Sequence, residues 1–263
     1  LRNLGPMISK WRTSWETIRT QQNQDKIGFI ENNNGVEFLT EREAKSTIEQ
    51  LIRFHHINIL KLPLKLQQIL VNHKNDYKSL KRDINKFLNK KVRPNDFNSS
   101  ELFHKVLEKR LGIQNFKKKV NKLLSDWQNV IESQSKNGLY LVHGDLAPNN
   151  LYIFDSGEVE FLDLEWVGQF RNSALAMIVD FGNLRARSWK SSNFRRELDK
   201  VLISQYEKEG NKELGQIIVN LSILRSHIML SSYFENYDWA KQELVDENIR
   251  RKETEADIKL VLK

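Results

Sequence analysis

Apolar residues recur every three or four positions over most of this chain, and every second position over one short stretch near its middle. In "AKSTIEQLIRFHH" and "FKKKVNKLLSDWQNVIES" the spacing predicts amphipathic helices, and the pattern stays nearly all helical from Glu41 to about Asn137. Pro94 within "RPNDFNSS" marks a loop, with Asn98 to Ser100 as candidate caps for a helix over "ELFHKVLEKRL". Lys136, Asn137 and Gly138 are expected to end the last helix of this run. The period then shortens. "LYLVHG" and "LYIF" read as short strands, "SG" as a turn and "VEFLDLEW" as a third strand. After Asn172 the helical pattern resumes and continues to the C-terminus.

Ahead of this body, "SKWRTSWETIRTQQ" places Trp11, Trp15 and Ile18 at helical spacing. "IGFIENNNGVEFLT", residues 27–40, reads as a hairpin around an Asn-rich turn ending in Gly35. The expectation is an α+β chain in which a small island of strands sits inside a helical body.

Composition changes this picture little. Hydrophobic residues make up 39% of 263, enough for a packed core. No uninterrupted apolar run reaches the length of a membrane span and the N-terminus lacks a secretory signal, so a cytoplasmic protein is expected. With no cysteine, disulfides and thiolate metal sites are excluded. A net charge of +8 would suit an anionic partner. The lysines, however, alternate with apolar residues at helical spacing and read as solvated helix faces, so nucleic acid is not the expected partner. The chain opens on Leu1, as a fragment, a processed form or a trimmed chain would.

The chemistry concentrates in "LVHGDLAPNNLYIF", residues 141–154. Asp145 and Asn150 lie five positions apart in a tight loop between strands, and Asp163 follows Asp145 by eighteen, at the end of a hairpin that returns the chain beside the loop. Asn150 and Asp163 could then present oxygens to one hard cation such as Mg²⁺, leaving Asp145 to accept a hydroxyl proton. A base beside a metal pair suits phosphoryl transfer, in which positioning and charge neutralisation do most of the catalysis. The plainer alternative is that His143 and Asp145 only cap a turn, because Asp and Asn are common turn formers.

"HGDLAPNN" followed by "FLDLEW" resembles the catalytic and metal-binding segments of the protein-kinase-like fold. It is more closely similar to small-molecule kinases related to aminoglycoside phosphotransferases and choline kinases. The resemblance implies Asp145 as catalytic base, His143 as a residue that structures the loop, and Asn150 and Asp163 as Mg²⁺ ligands in contact with bound ATP. Glu165 resembles the second acid of the Asp-x-Glu pattern in choline-kinase-like members and would support the metal. The literal "DFG" at Asp180 to Gly182 lies in an apolar helical stretch and is not read as the metal triplet. Asp180 instead resembles the buried helix aspartate that braces the catalytic loop by accepting backbone hydrogen bonds, and "DFGN" resembles the Asp-x-x-Asn of choline kinases. Ala147 stands where serine/threonine protein kinases carry lysine, which implies a small-molecule acceptor.

The fold so implied is protein-kinase-like. Residues 1–41 would be a remnant of the N-terminal nucleotide-binding lobe, with a hinge near 40–42 that brings Glu41 to the nucleotide, and residues 42–263 the helical C-terminal catalytic lobe. A glycine-rich loop and a strand lysine are not found upstream of the hairpin; Glu16 is the candidate helix glutamate and Lys10 a poor substitute for the lysine. The implied function is ATP- and Mg²⁺-dependent transfer of the γ-phosphoryl group to a hydroxyl of a small molecule such as an aminoglycoside or choline. The alternative is a catalytically inactive kinase-like binding or regulatory module.

Elsewhere the expectations are structural. His55 and His56 are adjacent and read as surface or partly packed, while His104 and His227 read as core. Trp127, Trp166, Tyr233, Phe234 and Trp239 read as core aromatics, and Glu235, Asp238, Glu243 and Asp246 as solvated acids or the lining of a pocket for a cationic acceptor.

Overall fold

A computed structural model describes residues 41–72, 76–90, 99–110, 112–135, 139–154, 156–188, 192–236 and 247–262. The expected N-terminal helix, hairpin and lobe, with Glu16 and Lys10, therefore lie outside the described residues, as do the loop around Pro94 and residues 136–138. Glu41 and Arg42, expected at a hinge, are the first residues of a helix.

That helix, α1 (Glu41–His55), buries Ala44, Ile48, Leu51 and Phe54, an apolar stripe at three- and four-residue intervals. A 3₁₀ turn (Ile59–Lys61) and the short α2 (Leu64–Ile69) lead to β1 (Val71–Asn72). The next helix, α3 (Tyr77–Leu88), starts at Asp76, whose carboxylate accepts from the Ser79 amide at 2.8 Å. It buries Tyr77, Leu80, Ile84, Phe87 and Leu88, with the Phe87 ring against Phe103 and the Tyr77 hydroxyl donating to the Leu124 carbonyl. The helices α4 (Ser99–Arg110), α5 (Ile113–Asp126) and α6 (Gln128–Glu132) complete this first helical run.

The strand island follows, with two departures from the expected pattern. β2 (Tyr140–Val142), β3 (Leu151–Ile153) and β4 (Val159–Phe161) are present, but the third strand stops at Phe161 and "LEW" forms a 3₁₀ turn over Leu164–Trp166. A further strand, β5 (Gly168–Phe170), pairs antiparallel with β2 and parallel with β1. Sheet order is thus β1-β5-β2, beside a separate β3-β4 hairpin in which Leu151 faces Phe161. β1 interrupts the stretch expected to be helical, because two ladder residues are too few to show a period of two.

Among the described residues the C-terminal half is four helices. α7 (Ser173–Arg187) is capped by Asn172, whose side chain accepts from the Leu175 amide at 2.9 Å and donates to the Ile131 carbonyl at 2.6 Å. It packs against β2, β5, α1 and the long helix over Lys212–Asn236 and is buried on nearly all sides, with Ala174 to Ile178 and Asp180 to Ala186 all inside. Around it lie α8 (Ser192–Lys208), α9 (Lys212–Asn236) and α10 (Glu247–Val261). Within α9, Lys212–Ser232 is long and apolar enough by composition to cross a membrane, but 78% of its most apolar window is buried inside this structure, so it serves here as a core helix.

A buried ionic cluster ties these four helices together. The Arg185 guanidinium donates through Nε and Nη2 to both oxygens of Asp199, each at 2.8 Å, and through Nη2 to Asp257 at 3.1 Å. His227 Nε2 bonds the other Asp257 oxygen at 3.0 Å, and Arg195 donates to Glu253 at 2.6 Å. Burial alone would push Asp257 up, but Arg185, Arg195 and His227 together hold it well below the usual carboxylate range. Burial keeps His227 below the ordinary imidazole range despite that bond.

Removing one partner from such a cluster leaves a charge without its counterion in the core. Asp257→Ala is expected to destabilise the fold by about 3 to 5 kcal/mol in urea unfolding. Because its folded-state pKa lies below the unfolded one, the contribution of Asp257 is complete above about pH 4 and is lost as pH falls through the lower folded value. Acid titration of the parent should show that loss, and Asp257→Ala should flatten it.

Candidate active site

β2 delivers the chain into the polar loop with Leu141 and Val142 buried, so His143 starts at a fixed point of the core. The His143 amide donates to Asp180 Oδ2 at 2.8 Å and the Gly144 amide to Asp180 Oδ1 at 2.9 Å. One turn along α7, Asn183 Nδ2 donates to the Gly144 carbonyl at 2.7 Å. Asp180 and Asn183 thus hold the peptide groups on both sides of Gly144, and the second of these leads directly into Asp145. Asp180 is fully buried, and a third donor, His55 Nε2 from the end of α1, reaches its Oδ2 at 2.9 Å.

Gly144 has to be glycine for two reasons. Its φ is +85°, and a Cβ added there would sit 2.4 Å from the Trp166 carbonyl oxygen. The catalytic-loop candidate and the turn after β4 therefore touch backbone to backbone.

Two hydrogen bonds lock the same two segments together. His143 Nε2 lies 2.7 Å from the Leu162 carbonyl, so it is the protonated nitrogen of that ring. The Leu162 amide donates to the Asn150 carbonyl at 2.8 Å. His143 itself is fully buried, with its ring against Phe54 and Phe161. Asn150 is also buried, and its Nδ2 donates to the Asp145 carbonyl at 2.8 Å, which settles the amide orientation and leaves Oδ1 as its remaining acceptor.

Asp163 sits next to Leu162 with φ 55° and ψ 66°, the one left-handed non-glycine backbone among the described residues. A conformation of this kind costs roughly 1 to 3 kcal/mol and persists where surrounding bonds over-determine it; here the bonds at Leu162 do so. The Asp163 side chain is accessible, yet its carboxyl is raised above its ordinary value, first by partial desolvation and then by the negative charges of Glu165 and Asp145. Asp145 is half-buried and Glu165 exposed. Among the described residues no three His, Cys, Asp or Glu side chains form a metal-binding group.

The structure therefore brings Asp145, Asn150 and Asp163 onto one doubly tied unit, with His143 inside it and Asp180 beneath it. The side chain of Glu41 and those of Tyr233, Phe234, Glu235, Asp238, Trp239, Glu243 and Asp246 lie outside the described residues. His55 is a correction: expected at the surface or partly packed, it is 2% exposed and bonded to Asp180, whereas His56 is exposed. Its position four residues after Leu51 puts it on the buried stripe of α1, and that spacing is the signal for its burial. Trp166 is a second correction, 55% exposed rather than core. Trp127, His104 and His227 are buried. Arg225 of α9 had no signal in the sequence; its stem packs on Gly182 and its Nη2 donates to Asn183 Oδ1 at 3.3 Å.

No protein-family model and no curated protein matches the sequence. Among solved structures the chain is similar to aminoglycoside phosphotransferase and choline/ethanolamine kinase family proteins. One is an aminoglycoside phosphotransferase from Alicyclobacillus acidocaldarius, at 12% identity and a TM-score of 0.48, matched over 89% of this chain and 68% of that one. Another is a choline/ethanolamine kinase family protein from Mesorhizobium loti, at 13% identity and 0.42, over 85% and 61%. A third is an ethanolamine kinase from Plasmodium vivax, at 13% identity and 0.43, over 89% and 62%. The chain spans less than two thirds of the length of the last two.

Two substitutions probe the loop. Gly144→Ala should lower the unfolding free energy by about 1 to 3 kcal/mol through backbone strain, and more if the Trp166 carbonyl cannot retreat. Asp180→Ala leaves the His143 and Gly144 amides without their acceptor and should cost about 2 to 5 kcal/mol in denaturant unfolding.

Proposed function

We propose that this chain is the catalytic body of an ATP- and Mg²⁺-dependent phosphotransferase of protein-kinase-like fold, acting on a hydroxyl of a small molecule. One observation carries this reading. An acid on a clamped loop, Asp145, is tied through Asn150 and His143 to a second acid held in a left-handed turn, Asp163.

The donor set fits the metal. The Asn150 amide oxygen and the Asp163 carboxylate are hard oxygen ligands of the kind Mg²⁺ takes alongside water and phosphate oxygens. The raised Asp163 carboxyl marks a place where negative charges repel one another and a divalent cation would relieve them. Glu165, two residues on, adds charge to the same place. When bound, the cation would neutralise the phosphate oxygens and hold the nucleotide in line.

The protein's own residues then do three things. Asp145 accepts the proton of the acceptor hydroxyl as its oxygen bonds to the γ-phosphorus and the bond from that phosphorus to the β–γ bridging oxygen breaks, releasing ADP. Asn150 holds the Asp145 backbone with its amide nitrogen while its oxygen serves the cation. His143 keeps Asp163 at a set distance from Asp145 through the Leu162 carbonyl and is a structuring residue of the loop. Sequence resemblance of "HGDLAPNN" and "FLDLEW" to small-molecule kinases supports the same assignment.

Transfer from Mg·ATP is best followed by ³¹P NMR across a panel of aminoglycosides, choline, ethanolamine and water as acceptors. Asp145→Asn should lower kcat by roughly a hundredfold or more with the thermal midpoint preserved, consistent with the weight of a general base. Turnover by that variant at the parental rate would remove Asp145 from the role. Asp163→Asn should in addition weaken Mn²⁺ binding measured by electron paramagnetic resonance, where Asp145→Asn leaves it within a few-fold.

A further inference from the structure

We infer that His55, at the end of α1, is a positioning residue for the transfer reaction, acting on Asp145 through Asp180. The inference rests on the phosphotransfer reading above and adds a residue that neither loop motif contains.

The contact is specific. His55 and Asp180 are 125 residues apart, 2% and 0% exposed, and joined at 2.9 Å. Opposite a carboxylate oxygen the ring nitrogen acts as an N–H donor, and among the described residues its Nδ1 has no hydrogen-bond partner. Asp180 Oδ2 takes this bond and that of the His143 amide together, while Oδ1 takes the Gly144 amide. Removing the histidine donor frees that oxygen on one side only. The carboxylate can then rotate or shift, and the two amides it holds lie one and two residues before Asp145.

Position along the chain gives the contact its consequence. Phe54, next to His55, packs its ring on His143 and Phe161, with centroids at 6.4 and 5.6 Å. Arg42, at the other end of α1, donates to the Ser156 carbonyl in the β3-β4 turn. One helix thus touches the hairpin that carries Asp163 and the carboxylate that holds the Asp145 loop, and His55 is its only polar contact with that carboxylate among the described residues. Displacement of a catalytic group by about 1 Å can cost a hundredfold in rate, so a donor that sets the Asp180 rotamer registers in kcat. Asn150 and the segment that leads into Asp163 stay joined to each other by the Leu162 amide, which Asp180 does not touch, so KM for Mg·ATP and Mn²⁺ affinity stay within a few-fold of parental values.

The test compares His55→Leu, His55→Asn and His55→Gln in the full chain. Glutamine can place an amide N–H near the position of Nε2; asparagine carries the same group one carbon short, and leucine carries none. Thermal midpoints, Mn²⁺ affinity, and kcat and KM for Mg·ATP are measured with water or the best acceptor found. The expected result is a fall in kcat of roughly ten- to a hundredfold for Leu and Asn, recovery to within a few-fold for Gln, and KM and Mn²⁺ affinity within a few-fold of parental values throughout. Should the leucine variant fail to fold, the Asn and Gln pair decides alone, since the two differ only in reach. Parental kcat in Leu or Asn, or equal losses in Asn and Gln that follow their thermal midpoints, overturns the inference and leaves the phosphotransfer reading standing. Turnover by the parent no greater than that of Asp145→Asn overturns the reading itself, and this inference with it.

Discussion

A single buried carboxylate organises this molecule. Asp180 is fully buried and accepts three hydrogen bonds, two from consecutive backbone amides and one from a histidine of another helix. An ionised carboxylate without partners would be very costly in that position, and three donors offset the cost. The return is geometric, because the loop cannot leave without stranding its amides and the helix cannot rotate without stranding the acid. Asn183 then fixes the next carbonyl, and the conformation of Gly144 follows from being held on both sides.

The helix that presents Asp180 carries a second polar cluster a turn and a half further on. Arg185 binds Asp199 and Asp257 and so joins α7 to α8 and α10, and His227 adds α9 through Asp257. With Asp180 at the strand island and Arg185 among the C-terminal helices, α7 connects the two halves of the described structure. Its near-complete burial explains why polar residues in an apolar helix are tolerated only where each finds partners.

Much of this was legible in the sequence. The stripes of α1, α3 and α5 repeat over enough turns to be unambiguous, and the shift to strands at residue 139 is abrupt. The spacing of Asp145, Asn150 and Asp163 placed all three near one hairpin, because a short β-turn-β unit allows few other paths. β1 has too few residues to establish a period and β5, Gly168–Phe170, carries one strongly apolar side chain; β5 is a strand because it pairs with β2, and β1 because it pairs with β5. His55 lies inside because its spacing of four from Leu51, and not its adjacency to His56, decides which face of the helix it takes. Trp166 was misread because aromatics are usually buried, whereas the 3₁₀ turn after Asp163 holds this one at the surface. The partnership of Arg185 with Asp199 and Asp257 depends on helix packing and leaves no mark in local sequence.

The proposed chemistry depends on one cation meeting both tied segments. Anomalous diffraction from a crystal grown with Mn²⁺ and a non-hydrolysable ATP analogue locates that cation directly. The account predicts a manganese peak within bonding distance of Asn150 Oδ1 and an Asp163 carboxylate oxygen, about 2.0 to 2.3 Å from each. A fully occupied peak elsewhere on the chain, or nucleotide bound with no peak between those two residues, would contradict it.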